Sequence, residues 1–262
     1  MPEAMVAVCD ILGFKALLRG QPLSEIVNDD MLWFRKMLYW GITRKDWPDE
    51  AQLPPLKELR ETLPVGLALF SDTVLLYTLT DDEENYQRLL RIIAWMMFAT
   101  MHVPNLRLRV GVSHGEIHID LDNELFLGQP IVDAYLLQEA QDWSGGALTE
   151  EAAKKVPEQY RNGEHPLEWP VRPYEIPLKE CRKRNEPDPD HRETVFVQRR
   201  YSKNMLAVDW TIGIHDSPFL EWSPSSSDPP SSVDERIAEK YRQTKCFHDH
   251  VCFWCRNQGL SR

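Results

Sequence analysis

Strands and helices interleave along this chain, joined by hairpins as well as crossovers, and that pattern predicts an α+β fold in which helices pack on one face of a sheet. Three stretches carry the prediction. The apolar runs in residues 6–14 (VAVCDILGF) and 65–78 (VGLALFSDTVLLYT) are short and bounded by turn signals, so both read as core strands, the second folded into a hairpin at Ser71-Asp72. Residues 81–103 form the clearest helix, opened by acidic side chains that complement its dipole and apolar nearly all round toward its end. Residues 106–119 then alternate, with Leu106, Leu108, Val110 and Val112 on one side and Arg107, Arg109 and Gly111 on the other, as a central strand does, before a second strand through Glu116-Ile-His-Ile-Asp120.

The remaining elements follow in order. After Phe14 come a short helix and a longer one within residues 23–40, where Ile26, Leu32, Trp33, Met37 and Trp40 recur at roughly helical spacing. Residues 43–64 hold prolines and charges and read as a surface loop with a helical turn around Leu56-Lys-Glu-Leu-Arg-Glu61. A helix is predicted at 131–143, a tight turn at Gly145-Gly146 leading into a short strand, and a helix at 150–160. Prolines and charges dominate 162–190 except for a strand-like Tyr174-Glu-Ile176, and strands follow at 194–198 and 206–210. The Ser/Pro stretch 223–232 has too little apolar content to pack, and 233–257 closes the chain as a helix. This divides the chain into a core, 1–160, and a C-terminal extension, 161–262, of strands plus a terminal helix packed on the same domain.

Composition narrows the function. The chain has 262 residues, enough for a substantial core, and a formal net charge of -11, which argues against nucleic-acid and anionic-membrane partners because both require a cationic face. No apolar run reaches the roughly 18 residues of a membrane span and no signal-type segment opens the chain, so a cytoplasmic location is expected. Five cysteines, an odd number, fit reduced thiols better than a disulfide framework. Cys252 and Cys255 have the C-x-x-C spacing of zinc ligands and lie near Cys246, His248 and His250, but no second pair follows. Phe247, Val251 and Trp254 trace a helical apolar stripe instead, so the cluster reads as a buried helix with small thiols.

Asp10 and Asp72 are the residues that ask for a reason, since both surface from otherwise apolar strands. Singly, each is a turn residue that satisfies nearby backbone N–H groups. Together, two carboxylates bind hard divalent cations through oxygen, and such ions in turn hold phosphates. Arg109, on the polar side of its strand, is either a solvated residue or a phosphate ligand.

The segments Asp10-Ile-Leu-Gly-Phe14, Phe70-Ser-Asp72, Leu108-Arg-Val-Gly-Val-Ser-His-Gly115 and Gly128-Gln-Pro-Ile-Val-Asp-Ala134 resemble, in the same order, four motifs of the class III nucleotidyl cyclases. The resemblance implies a ferredoxin-like β-α-β-β-α-β core working as a homodimer, with active sites at the interface. It also implies that Asp10 and Asp72, with the backbone carbonyl of Ile11, bind two divalent cations, Mn²⁺ or Mg²⁺; that Phe14 packs by the sugar and base; and that Arg109 holds the triphosphate of a nucleoside triphosphate. Where adenine-using members carry polar base-reading residues this chain has Leu67 or Ala68, and Leu125; where they carry a transition-state asparagine and arginine it has Val132 and Leu136. Lys154, Lys155 and Gln138 are polar candidates for that last role, and no spacing selects among them.

Residues 134–146 (AYLLQEAQDWSGG), Val208-Asp-Trp210 and Lys240-Tyr-Arg-Gln-Thr244 are similar to segments of the pyrimidine cyclases of Pycsar antiphage systems. This narrower resemblance implies conversion of UTP, or of CTP in some members, into a 3',5'-cyclic nucleotide that activates a separate cyclic-nucleotide-responsive effector. A cyclase-like domain that binds a nucleotide or a protein without turnover is the competing reading, motivated by Val132 and Leu136.

Overall fold

Seven strands in the order β2-β3-β1-β4-β7-β9-β8 make one sheet, antiparallel throughout except where β4 and β7 run parallel. The protein is described here from a computed structural model covering residues 1–43, 53–55, 58, 63–101, 107–163, 168–183, 196–211 and 235–257. The chain begins with β1 (Glu3–Ile11), α1 (Phe14–Gly20), α2 (Leu23–Glu25), a π turn (Ile26–Asp30) and α3 (Met31–Thr43). The hairpin β2 (Gly66–Phe70) and β3 (Thr73–Tyr77), the helix α4 (Glu83–Met101) and β4 (Leu108–Glu116) come next. These elements form a β-α-β-β-α-β unit with strand order β2-β3-β1-β4, the ferredoxin-like arrangement.

Alternation along β1 and β4 explains the layers. Met5, Ala7, Cys9 and Ile11 share a face with Val110 and Val112, and all are buried in one apolar core with Phe34 and Leu38 of α3 and Leu89, Ile93, Met96 and Met97 of α4. Burial in that core also pushes the Cys9 thiol well above its ordinary range. The opposite face is not left open, contrary to the single-faced packing expected from the sequence. A small hairpin, β5 (His118–Asp120) and β6 (Leu125–Leu127), and the helix α5 (Gln129–Ala140) cover part of it, packing Ile131 and Phe126 near Ala4, Val6 and Tyr77. Gly111 makes this possible: a Cβ there would lie 2.0 Å from the carbonyl oxygen of Ala134, so only glycine lets α5 rest directly on β4.

After α5 the chain enters β7 (Gly146–Leu148), α6 (Glu150–Lys155), a 3₁₀ turn (Glu158–Tyr160), the long hairpin β8 (Val171–Lys183) and β9 (Phe196–Val208), and the terminal helix α7 (Glu235–Asn257). Pro157 separates α6 from the 3₁₀ turn, where the sequence suggests one helix. β8 is far longer than the three-residue strand expected at Tyr174, and β9 joins two strands expected separately. Pro173 and Pro177 conceal β8 in the sequence; it stands at the end of the sheet order, where prolines are tolerated on the side away from β9. The expected Ser/Pro loop at 223–232 and the helical turn at 56–61, apart from Glu58, fall outside the described residues.

The C-terminal elements share the main core. Trp143, Trp169, Trp210 and Phe247 are fully buried, with Trp143 stacked on Tyr174 at 5.4 Å between ring centroids and edge-on to Phe247 at 5.2 Å. Beneath them Arg172 donates twice to Asp209 Oδ2, at 2.9 and 2.7 Å, while Asp209 Oδ1 accepts from the Thr211 hydroxyl and amide, so both carboxylate oxygens of this buried charge pair are satisfied. No helix among the described residues is long and apolar enough to cross a membrane.

Candidate active site

Two backbone registers converge on Asp10. Near the end of β1 it stands opposite Thr73 of β3 on one side and Arg109 of β4 on the other, which brings Asp72 and Arg109 to either flank. Phe70 pairs with Thr73, leaving Ser71-Asp72 as a two-residue hairpin loop, and Ser71 takes the left-handed conformation (φ 55°) that such a tight reversal calls for. The Ile11 amide donates to the Asp72 carbonyl at 3.3 Å, which ties the turn to the end of β1.

Arg109 Nη2 lies 3.3 Å from Asp10 Oδ2, and Gln138 Nε2 donates to the same oxygen at 3.0 Å. Arg109 Nη1 donates to the carbonyls of Glu139 (3.3 Å) and Gln141 (3.2 Å), at the end of α5 where orphan carbonyls and the helix dipole favour a cation. Arg109 is therefore a buried guanidinium clamped in place, not a solvated strand residue, and its Nε has no hydrogen-bond acceptor. Gln141 is locked in turn by donating to the Val110 carbonyl at 2.7 Å and accepting from the Trp143 indole at 2.8 Å.

Electrostatically the site carries more acid than it can settle alone. Burial pushes the Asp10 carboxyl up to about 6; the Arg109 guanidinium pulls against this, and the neighbouring Asp72 adds to it. Burial likewise lowers the Arg109 pKa, opposed by Asp10. Asp10 at the strand end and Asp72 in the adjoining turn supply carboxylate oxygens, the donors hard divalent cations take, and such an ion would relieve the repulsion between the acids. The residues present fit Mg²⁺ or Mn²⁺.

The structure thus brings Asp10, Ile11, Asp72 and Arg109 together. Phe14 is buried in the main apolar core, as is the Ile11 side chain. Leu67 is also a core residue, while Leu125 is exposed on β6. Val132 and Leu136 are 49% and 56% exposed on α5 and contribute no polar group to the site. Gln138 reaches Asp10, whereas Lys154 and Lys155 lie on α6 beside a different cluster. There Glu3, Asp81 and His114 offer ligand atoms within 4.8 Å of one another. Seven residues of strand separate Glu3 from Asp10, about 23 Å at 3.3 Å per residue, so this triad is not part of the Asp10 site.

Gln138, Glu139 and Gln141 are the site residues that sequence reading left unassigned or missed. Two of them act through main-chain carbonyls, which no side-chain pattern reveals.

No protein-family model and no curated protein matches the chain. Among solved structures it is similar to the catalytic core of a rhodopsin-guanylyl cyclase with converted specificity in complex with ATPαS, at 9% identity over 78% of this chain and 96% of that one, TM-score 0.47. It is also similar to an adenylate cyclase from Trypanosoma brucei in its monomeric state (11% identity, 81% and 92% covered, TM-score 0.48). A third is an adenylate/guanylate cyclase/hydrolase from Silicibacter pomeroyi (10%, 79% and 95%, TM-score 0.45). At such identities and scores no residue role passes from these proteins to this chain.

Proposed function

We propose that this protein is a metal-dependent nucleotidyl cyclase that converts UTP into 3',5'-cyclic UMP and pyrophosphate, with CTP as the alternative substrate. The observation that carries the reading is the meeting of Asp10, from the end of β1, with Asp72, from the β2–β3 turn, beside the clamped Arg109. Asp10, Asp72 and the Ile11 carbonyl would hold two divalent cations, which when bound polarise the ribose 3'-hydroxyl and neutralise the triphosphate. Arg109, fixed by Asp10 and by two carbonyls, presents its charge to the phosphates without having to reorganise. In the reaction the 3'-oxygen loses its proton to the acidic pair and bonds to the α-phosphorus as the bond to the β-phosphate bridge breaks and pyrophosphate leaves.

The pyrimidine assignment is supported by the apolar Leu67 or Ala68, and Leu125, at the places where adenine-using cyclases read the base. A homodimer with its active sites at the interface, and a messenger role in antiphage defence through a separate effector, complete the reading. Incubation with each of the four ribonucleoside triphosphates and Mn²⁺ tests it: cyclic UMP or cyclic CMP is expected from the native chain and about a thousandfold less from Asp72→Ala. Cyclisation of ATP or GTP alone would overturn the base assignment. A second reading, nucleotide binding without turnover, is favoured by Val132 and Leu136; calorimetry showing tight UTP binding with no product from any nucleotide would select it.

A further inference from the structure

The terminal helix α7 is pinned against the strand that carries Arg109. Thr244 Oγ1 accepts from the Ser144 amide at 3.0 Å and lies 3.1 Å from the Ser144 carbonyl, while the Ser144 hydroxyl donates to the carbonyl of Leu108, the residue before Arg109, at 2.9 Å. Phe247 and Val251 are buried further along the same helix, so its register is fixed at both points. Lys240 lies one turn before Thr244, whose hydroxyl is 2.8 Å from the Lys240 carbonyl. Lys240 is half-buried and lies within the fields of Arg109, Lys179, Asp142 and Asp10. Burial, then Arg109 and Lys179, lower its pKa to about 8. Among the described residues no carboxylate lies within ion-pair distance of its ammonium. With divalent cations settling the carboxylates of Asp10 and Asp72, the charges of Arg109 and Lys240 would be left for an anion, in a chain whose formal net charge is -11.

We propose that Lys240, delivered by the C-terminal helix, is a phosphate-contacting residue of the Asp10–Asp72–Arg109 site, holding the polyphosphate of the nucleotide together with Arg109. This rests on the cyclase reading, and the test separates the two. Calorimetry on the full chain with Mn²⁺ measures binding of UTP and of inorganic tripolyphosphate to the native protein, Lys240→Met and Lys240→Arg, alongside steady-state cyclisation and thermal unfolding. Lys240→Met is expected to melt as the native protein does, to bind both ligands about tenfold or more weakly and to raise KM; Lys240→Arg should recover most of the affinity. Weakening toward UTP but not tripolyphosphate would make Lys240 a nucleoside contact and overturn the assignment. Native-like binding by Lys240→Met, or no tripolyphosphate binding by the native chain, would overturn it too, and the cyclase reading survives both if product still forms. Lys240-dependent binding with no product from any nucleotide leaves the phosphate contact standing and removes the cyclase.

Discussion

The two ends of the β1–β4 pair each hold a knot of charged side chains, and they resolve their charge differently. At the Glu3 end, His114 Nε2 lies 2.9 Å from Asp81 and 3.1 Å from the Tyr86 hydroxyl, which also contacts Asp81; Lys155 sits 3.5 Å from Glu3 and 3.7 Å from Asp81. A lysine of the chain already occupies the place a cation would take. At the Asp10 end, one guanidinium and one amide face two carboxylates, and the Asp10 carboxyl is left raised to about 6. Ligand-type residues in proximity therefore do not by themselves mark a metal centre; charge left unbalanced after every internal partner is counted is the better sign.

Substitution at each end should break the symmetry most visibly. Asp72→Ala is expected to lower the cyclisation rate by about three orders of magnitude, whereas Asp81→Asn should stay within a few-fold of the native rate, both read from cyclic product by chromatography. Activity that fell equally in both would make the Glu3 end a second metal centre.

Gly111→Ala probes the contact that holds α5 against the Asp10 end. Its methyl group would press on the Ala134 carbonyl, costing about 2 to 3 kcal/mol in urea unfolding, and should displace Gln138 enough to reduce turnover as well.

The acid–base consequence of the raised Asp10 carboxyl has a definite sign. Its folded pKa, about 6, lies above the unfolded value, so its contribution to stability is fully present at low pH and is lost as pH rises through about 6. Without divalent ions, the pH-dependent part of the stability difference between the native protein and Asp10→Asn should shift by about 2 kcal/mol between pH 4 and 7.5. Mn²⁺ should raise the melting temperature above pH 6, with the gain fading below it as protons compete for the same oxygen. An Mn²⁺ gain that persisted unchanged at pH 5 would move the ion away from Asp10. The smallest effect belongs to Lys155→Met: its ion pairs with Glu3 and Asp81 are partly solvated, so less than about 1 kcal/mol should be lost, with activity unchanged.

Much of this was written locally in the chain. The apolar runs ending in Asp10 and broken at Asp72 set the strands and the hairpin, and alternation placed Arg109 across from the helical core. Other features depend on distant pairing and leave no local signal. Pro173 and Pro177 argued against a strand whose position at the sheet edge makes them harmless. Gln138 is one of three polar candidates that spacing alone does not separate, and it is Gly111, by letting α5 lie against β4, that sets it apart; Phe14, within the most suggestive motif, is buried in the main core. The thiols of Cys252 and Cys255 fall outside the described side chains, while Cys246 is an exposed free cysteine.

The three-residue strand β7 is bonded to β4 on one side and meets β9 through Ala147 and Ala207 on the other. A fragment ending near residue 160 would leave that short ribbon with a bare rim of amides and carbonyls, next to an indole stripped of the rings that sheltered it. Such a piece should stick to copies of itself when expressed. The half bearing both metal-type aspartates is therefore not a portable module, and grafting it onto another protein would require the closing hairpin and the last helix to travel with it.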